Sequence, residues 1–202
     1  MGELIEAIVG NYRYTLSREL KDMDRLVLKF ARILNDMSLH YAFISGYVSI
    51  LFGRSRLSED IDIIVEKMEF AEFKKLWDAL RGDFWCIITD SVEDAYYDYL
   101  LSNTAIRFAL RDSVIPNIEM KFPKTELERW VLENTIDVTV GHEKLKISDI
   151  ELQIAFKLYL GSEKDIEDAK HLYEFFKEGI DKDKLEKFVM ELHVAELARR
   201  YL

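Results

Sequence analysis

A single cysteine, Cys86, in 202 residues leaves the chain without an internal disulfide and without a cysteine-based zinc site. Two prolines, Pro116 and Pro123, and the lack of any low-complexity stretch leave no visible flexible linker between domains, and there is no internal repeat. The four histidines (His40, His142, His171, His193) show neither HxxxH nor HExxH spacing. The longest nearly apolar run, Tyr41 to Gly53, is broken by Ser45 and Ser49 and is too short to cross a bilayer. The first ten residues, MGELIEAIVG, lack the basic start and long apolar core of a signal peptide, so a soluble cytoplasmic protein with no membrane partner is expected. Positive charge is also scarce: 28 basic against 38 acidic residues give a net charge of −10. That argues against broad, charge-driven nucleic-acid binding. It leaves room for a nucleotide site, where a divalent cation and a few local arginines neutralise phosphate. With 49% hydrophobic residues, the chain can bury the core of one domain, or of one domain and an appendage.

What is present is concentrated between Tyr41 and Glu66, YAFISGYVSILFGRSRLSEDIDIIVE. Tyr41 to Ile44 reads as a short buried strand, and Val48, Leu51 and Phe52 have the spacing of a short helix after the Ser45-Gly46 break. A polar loop with Arg54 and Arg56 leads into a second strand, in which Asp60 and Asp62 alternate with isoleucines. Residues two apart on a strand share a face, so the two carboxylates project side by side. They repel each other, and something positive must hold them. Mg²⁺, a hard cation suited to carboxylate and phosphate oxygens, is the natural candidate.

This constellation resembles the DNA polymerase β-type nucleotidyltransferase superfamily, and most closely the abortive-infection (AbiEii-like) nucleotidyltransferases. Their pattern is a pair of glycines, a helix, then Arg-x-Thr-x-Asp-x-Asp. Ser45-Gly46 stand at the glycines, Arg56 at the arginine, Ser58 at the threonine, and Asp60 and Asp62 at the metal carboxylates. The resemblance is detailed over about residues 40–66 and loose over 105–175. It implies an α+β nucleotidyltransferase fold, a small mixed twisted sheet with flanking helices mainly on one side, plus a helical C-terminal region. The expected divisions are an N-terminal helical segment over 1–39, the nucleotidyltransferase core over 40–147 and the helical region over 148–202.

Elsewhere the pattern is coarser. Glu3 to Met37 reads as helix, with an apolar stripe from Leu20 to Met37. Arg18, Lys21, Arg25, Lys29 and Arg32 line another face of it, either as a solvated surface or as a basic stripe guiding a polyanionic acceptor. Phe70 to Leu80 reads as a helix, Phe84 to Thr89 as a strand and Ser91 to Leu101 as a short helix. Ala105–Leu110 and Ile115–Phe122 read as a hairpin, and a second hairpin brackets Gly141-His142. Thr125-Glu126-Leu127-Glu128 and Ser148-Asp149-Ile150-Glu151 have capping-box form. The second opens a helix ending near Gly161, the next helix starts at Ser162, and one final helix runs to the C-terminus.

Nucleotidyl transfer as the resemblance implies it uses two Mg²⁺ ions held by three carboxylates. Glu119, flanked by Ile118 and Met120, is the acidic residue placed to be the third. It reads either as that ligand, and then as the base for the attacking hydroxyl, or as a surface residue on an edge strand. Ser45 and Gly46, at a strand-to-helix turn, would offer backbone amides to phosphate, or form a tight turn only. Arg56, with Arg54 in support, would contact the triphosphate or neutralise Glu59 or Asp60. In the tail, Lys157, Asp165 and Asp168 correspond to the family's lysine followed by Arg-Asp-x-x-Asp, with Glu163-Lys164 where the arginine would precede. The resemblance gives Lys157 a role at the nucleotide phosphates and the aspartates the role of orienting it. The implied function is Mg²⁺-dependent transfer of an NMP from NTP to a hydroxyl acceptor, an RNA 3′ end or a protein side chain. A toxin–antitoxin association, with an antitoxin or other partner protein, also follows from the resemblance. The alternative is a catalytically quiet nucleotide- or partner-binding protein on the same fold.

Overall fold

The computed structural model describes residues 5–9, 12–16, 19–140 and 142–202, with side chains from residue 19 onward. Strands β1 (Ile5–Val9) and β2 (Tyr12–Leu16) pair antiparallel, and helix α1 (Asp22–Asp36) follows. The helix predicted from Glu3 therefore begins only at Asp22; Glu3 itself lies outside the described residues. The reason is visible in composition. IEAIV and YRYTL are rich in β-branched and aromatic residues, and Gly10-Asn11 separates them at hairpin spacing.

Strand β3 (Tyr41–Phe43) turns through Ser45 into the short helix α2 (Gly46–Leu51), and β4 (Asp60–Val65) returns antiparallel to β3. Helix α3 (Phe70–Leu80), strand β5 (Phe84–Cys86) and a helical turn α4 (Val92–Asp94) that continues as a π-helix over Ala95–Leu100 come next. Strands β6 (Ile106–Leu110) and β7 (Asn117–Lys121) form the expected hairpin. Helix α5 (Glu126–Glu133) opens on the Thr125–Glu128 capping box, and β8 (Ile136–Val140) and β9 (Glu143–Ile147) form the second hairpin; Gly141 of its turn lies outside the described residues. The tail holds α6 (Ile150–Leu160), α7 (Glu163–Phe176), α8 (Lys182–Glu191) and α9 (Ala195–Tyr201). The single final helix of the sequence reading is thus two, interrupted where His193 takes a φ of 57°. The cap of α6 also differs from expectation: Asp149 accepts from Leu152 N, while the Ser148 hydroxyl donates to Gln153.

Seven strands form one mixed sheet in the order β5-β6-β7-β4-β3-β9-β8, parallel at β7–β4 and β3–β9 and antiparallel elsewhere. One face is apolar and covered by α1 and α3. Phe108 on β6 packs against Phe30 of α1 (ring centroids 5.8 Å) and Trp77 of α3 (5.7 Å). Ile61, Ile63 and Val65 are fully buried at this level. The other face is covered only in part, by α5 and α6, which leaves a length of β4 and β7 open. Helices therefore lie on both faces, because an inner strand such as β4 has a second side whose apolar end, Ile64, must also be covered. Among the described residues no helix is long and apolar enough to cross a membrane.

The basic stripe on α1 lies on the covered side of the sheet, away from the open strands. Arg25 pairs with Asp22 at 2.9 Å, Lys29 with Asp83 at 2.6 Å and Arg32 with Glu143. It reads as a paired surface rather than a guide for an acceptor; Arg18 lies outside the described residues.

Candidate active site

Asp60, Asp62 and Ile64 alternate onto the open face of β4, and the parallel register sets them opposite Asn117, Glu119 and Lys121 of β7. Asp62 and Glu119 are direct partners. The antiparallel register of β6 then places Arg107 opposite Glu119. Three carboxylates expected from the sequence thus share one sheet face, with strands about 4.8 Å apart.

Each carboxylate has a different protein partner. Asn117 Nδ2 donates to Asp60 Oδ1 at 2.8 Å. Beside Asp62, the Ser45 side chain favours the charged carboxyl, and Ile44 N donates to the Asp62 main-chain carbonyl at 3.0 Å. Arg107 donates through both Nε (3.0 Å) and Nη2 (2.8 Å) to Glu119 Oε2. Burial, and next the charge of Glu119, push the Asp62 carboxyl above the ordinary aspartate range; the Ser45 side chain and Lys121 offset this in part, and Asp60 adds to it. The bond to Glu119 raises the Arg107 guanidinium further. The donor set and its excess negative charge suit a hard divalent cation. Among the described residues, however, no three acidic, histidine or cysteine side chains converge as one coordination sphere. Asn117 holds Asp60, and both bonds from Arg107 end on Glu119 Oε2, so Arg107 does not engage Glu119 Oε1. Neither Arg107 nor Asn117 was singled out in sequence, since both reach the site only through strand register.

Ser45 and Gly46 divide the work of the turn in an unexpected way. Ser45, not the glycine, takes the positive φ, with φ 61° and ψ −134°. This is close to the first central position of a type II′ turn, which favours glycine. A serine there stores on the order of 1–3 kcal/mol of strain. Gly46 is small for a different reason: a Cβ on it would sit 3.1 Å from Arg56 Nη2. Its bareness lets the Arg56 guanidinium lie against the N-terminus of α2. Tyr47, which follows, is buried, and its hydroxyl donates to Asp24 Oδ1 of α1 at 3.1 Å.

Arg54, Arg56 and the tail residues meet in one ion network. Asp168, fully buried on α7, takes Arg54 Nε at 2.7 Å, Arg56 Nη1, and Lys157 Nζ of α6 at 3.0 Å. Lys157 also bonds Asp165 Oδ1 at 2.7 Å. Burial would raise the Asp165 carboxyl, but hydrogen bonds from Lys157 and Ser162 outweigh it and hold it low. Lys157 is 1% exposed, so its ammonium faces these two carboxylates rather than open space. Three cations against two carboxylates leave the network positive. Ser58 donates to the Asp60 carbonyl at 2.9 Å, steadying the start of β4.

Beyond Asp62 and Glu119 on the same face, Ile64 and Lys121 floor a cavity of about 370 Å³. Ile44, Leu127, Val131, Leu152 and Phe156 wall it, and Ser45 lies at its edge. Its volume falls within the range of small-molecule sites.

No protein-family model matches the chain, and no curated protein matches it in sequence. Among solved structures, an antigenic nucleotidyltransferase-like protein from Paracoccidioides brasiliensis is similar at a TM-score of 0.55 and 14% identity, over 86% of this chain and 88% of that one. The antibiotic-resistance factor ANT(2'')-Ia is similar at a TM-score of 0.51 and 12% identity, over 89% of this chain and 97% of that one. At such identities the likeness concerns architecture, and it shows that this chain, with its seven-stranded mixed sheet and flanking helices, has the nucleotidyltransferase fold.

Proposed function

We propose that the protein transfers a nucleoside monophosphate from an NTP to a hydroxyl acceptor, an RNA 3′ end or a protein side chain. The observation that carries this reading is Asp62 opposite Glu119 on adjacent parallel strands, with Ile44, just before the Ser45 turn, bonded through its N–H to the Asp62 carbonyl. In the reaction the acceptor oxygen bonds to the α-phosphorus and the bond from that phosphorus to the bridging oxygen breaks. Pyrophosphate leaves, and the acceptor proton passes to a carboxylate, for which Glu119 is the candidate. Asp60 and Asp62, joined by Glu119 through the oxygen that Arg107 does not engage, would hold Mg²⁺, which when bound neutralises the phosphates and the leaving group. Arg56, beside Gly46, supplies positive charge where the triphosphate meets the α2 N-terminus. Lys157 and Arg54 act through Asp168, which they share with Arg56. The nucleoside part extends into the apolar cavity beyond Asp62.

The abortive-infection-like assignment rests on the Arg56-x-Ser58-x-Asp60-x-Asp62 pattern, and with it the antitoxin partner. A second reading, a catalytically quiet binding protein, is favoured by one observation: Arg107 already neutralises Glu119. Incubation with each labelled NTP, Mg²⁺ and either total RNA or lysate separates the two. Transfer predicts a labelled acceptor with pyrophosphate release, abolished in Asp62→Asn; NTP binding without release in every combination would favour the quiet protein.

A further inference from the structure

Gln153 lies outside every motif recognised in the sequence, yet its side chain closes on the strained turn of the site. It is 3% exposed on α6. Its amide spends both ends on one residue: Oε1 accepts from Ser45 N at 3.3 Å, and Nε2 donates to Ser45 O at 2.9 Å. Oε1 also accepts from the buried Ser148 hydroxyl at 2.9 Å, and Ser148 N donates to Phe43 O at 2.9 Å. The end of β3, the start of α6 and the Ser45 turn thus form one hydrogen-bonded circuit. Gln153 reaches the carboxylates only through the Ser45 turn, beside which Ile44 N donates to the Asp62 main-chain carbonyl at 3.0 Å and the Ser45 side chain favours the charged form of Asp62.

A residue with a Cβ at φ 61° and ψ −134° returns to an extended or helical conformation unless its backbone is held. Either return rotates the Ser45–Gly46 peptide and moves the Ser45 side chain away from Asp62. Glycine at this position would need no such restraint. We propose that Gln153 is a positioning residue for the nucleotide site, a backbone clamp that lets serine stand where the turn favours glycine. The inference rests on the nucleotidyl-transfer reading for its consequence in catalysis, and on the turn geometry alone for its consequence in structure.

The test compares Gln153→Met in the natural chain and in a Ser45→Gly background, reading kcat/KM for NTP by pyrophosphate release and amide hydrogen exchange at residues 45 and 46. In the natural chain, Gln153→Met is expected to lower kcat/KM by about tenfold and to speed exchange at Ser45 by a similar factor. Relative to Ser45→Gly alone, the double variant should lose less than about threefold, because the two sites are coupled. An equal loss in both backgrounds, or unchanged exchange at Ser45, would overturn the clamp. Should Gln153→Met fail to fold, Gln153→Glu, which keeps the acceptor for Ser45 N and loses the donor to Ser45 O, is read by kcat/KM in the two backgrounds, an equal loss in both again overturning the clamp. A natural chain that turns over no NTP would sink the transfer reading instead, and exchange at Ser45 would then decide the clamp by itself.

Discussion

Asp62 and Glu119 occupy the same register position of the parallel β4–β7 pair, and Arg107 stands on the far side of Glu119 at the matching position of β6. A row of two carboxylates and one guanidinium therefore crosses three strands on the open face of the sheet. The central carboxylate is shared between a cation the protein supplies and the negative charge of its neighbour.

Asp60→Asn and Asp62→Asn should each abolish transfer while leaving the fold intact. Asp62 ionises against burial and against Glu119. Its neutral isostere should leave the metal-free melting temperature equal or higher. Thermal unfolding in chelator, beside a pyrophosphate-release assay, checks both halves. A large loss of stability with activity retained would make the pair structural.

On the proposed reading, Arg107 and Mg²⁺ both draw on the charge of Glu119. Arg107→Gln should therefore tighten Mn²⁺ binding by roughly tenfold, the effect of about 1.4 kcal/mol in a charge contact. Glu119→Gln should weaken it and cut catalysis far more than NTP binding. Calorimetric titration with Mn²⁺ reads this directly, and an unchanged affinity in Arg107→Gln would show that the ion pair does not limit the site.

Asp168→Asn removes the buried carboxylate that holds Arg54, Arg56 and Lys157 together. Removing one partner from a buried ion network costs about 3–5 kcal/mol. For a domain of this size that lowers the melting temperature by about 10 °C. NTP affinity should fall with it, since Arg56 loses its anchor beside Gly46. A stable Asp168→Asn protein with unchanged NTP affinity would reduce the tail to a packing appendage.

The two perturbed aspartates pull stability in opposite directions with pH. The Asp62 carboxyl is raised in the folded state, so its contribution falls as pH rises from the ordinary aspartate value, about 4, through the raised one. The Asp165 carboxyl is lowered, so its contribution is present above that ordinary value and is lost as pH falls through the lowered one. In metal-free melting curves between about pH 3 and 7, Asp62→Asn should remove the first slope. Asp165→Asn should lower stability near neutrality and flatten the fall in acid. Parallel curves for all three proteins would show that neither carboxyl is perturbed as described.

Short-range signals carried a large part of this protein in the sequence. The strand–turn–helix from Tyr41 to Leu51, the Asp60–Val65 strand, the 106–121 hairpin, the Thr125–Glu128 box and the helix stop at Gly161 all follow from side-chain period and capping. These forces act within about four residues and leave their mark in any window of sequence. The candidate carboxylates were legible for the same reason, since alternation puts Asp60 and Asp62 on one face whatever surrounds them.

The tertiary structure decided what those residues meet. Asn117 reaches Asp60 from 57 positions away, Asp168 reaches Arg54 from 114, and Gln153 reaches Ser45 from 108. No local period encodes such pairings; they depend on strand register and on how α6 and α7 pack against the loop before β4. Gln153 carries one local hint of its role, as a polar residue in a helix that is apolar nearly all round and therefore buried. The turn shows the division most clearly. From the sequence, Gly46 was the residue expected to need freedom. The fold assigns the left-handed backbone to Ser45 and uses the bareness of Gly46 to admit Arg56, because only packing determines which atoms must come close.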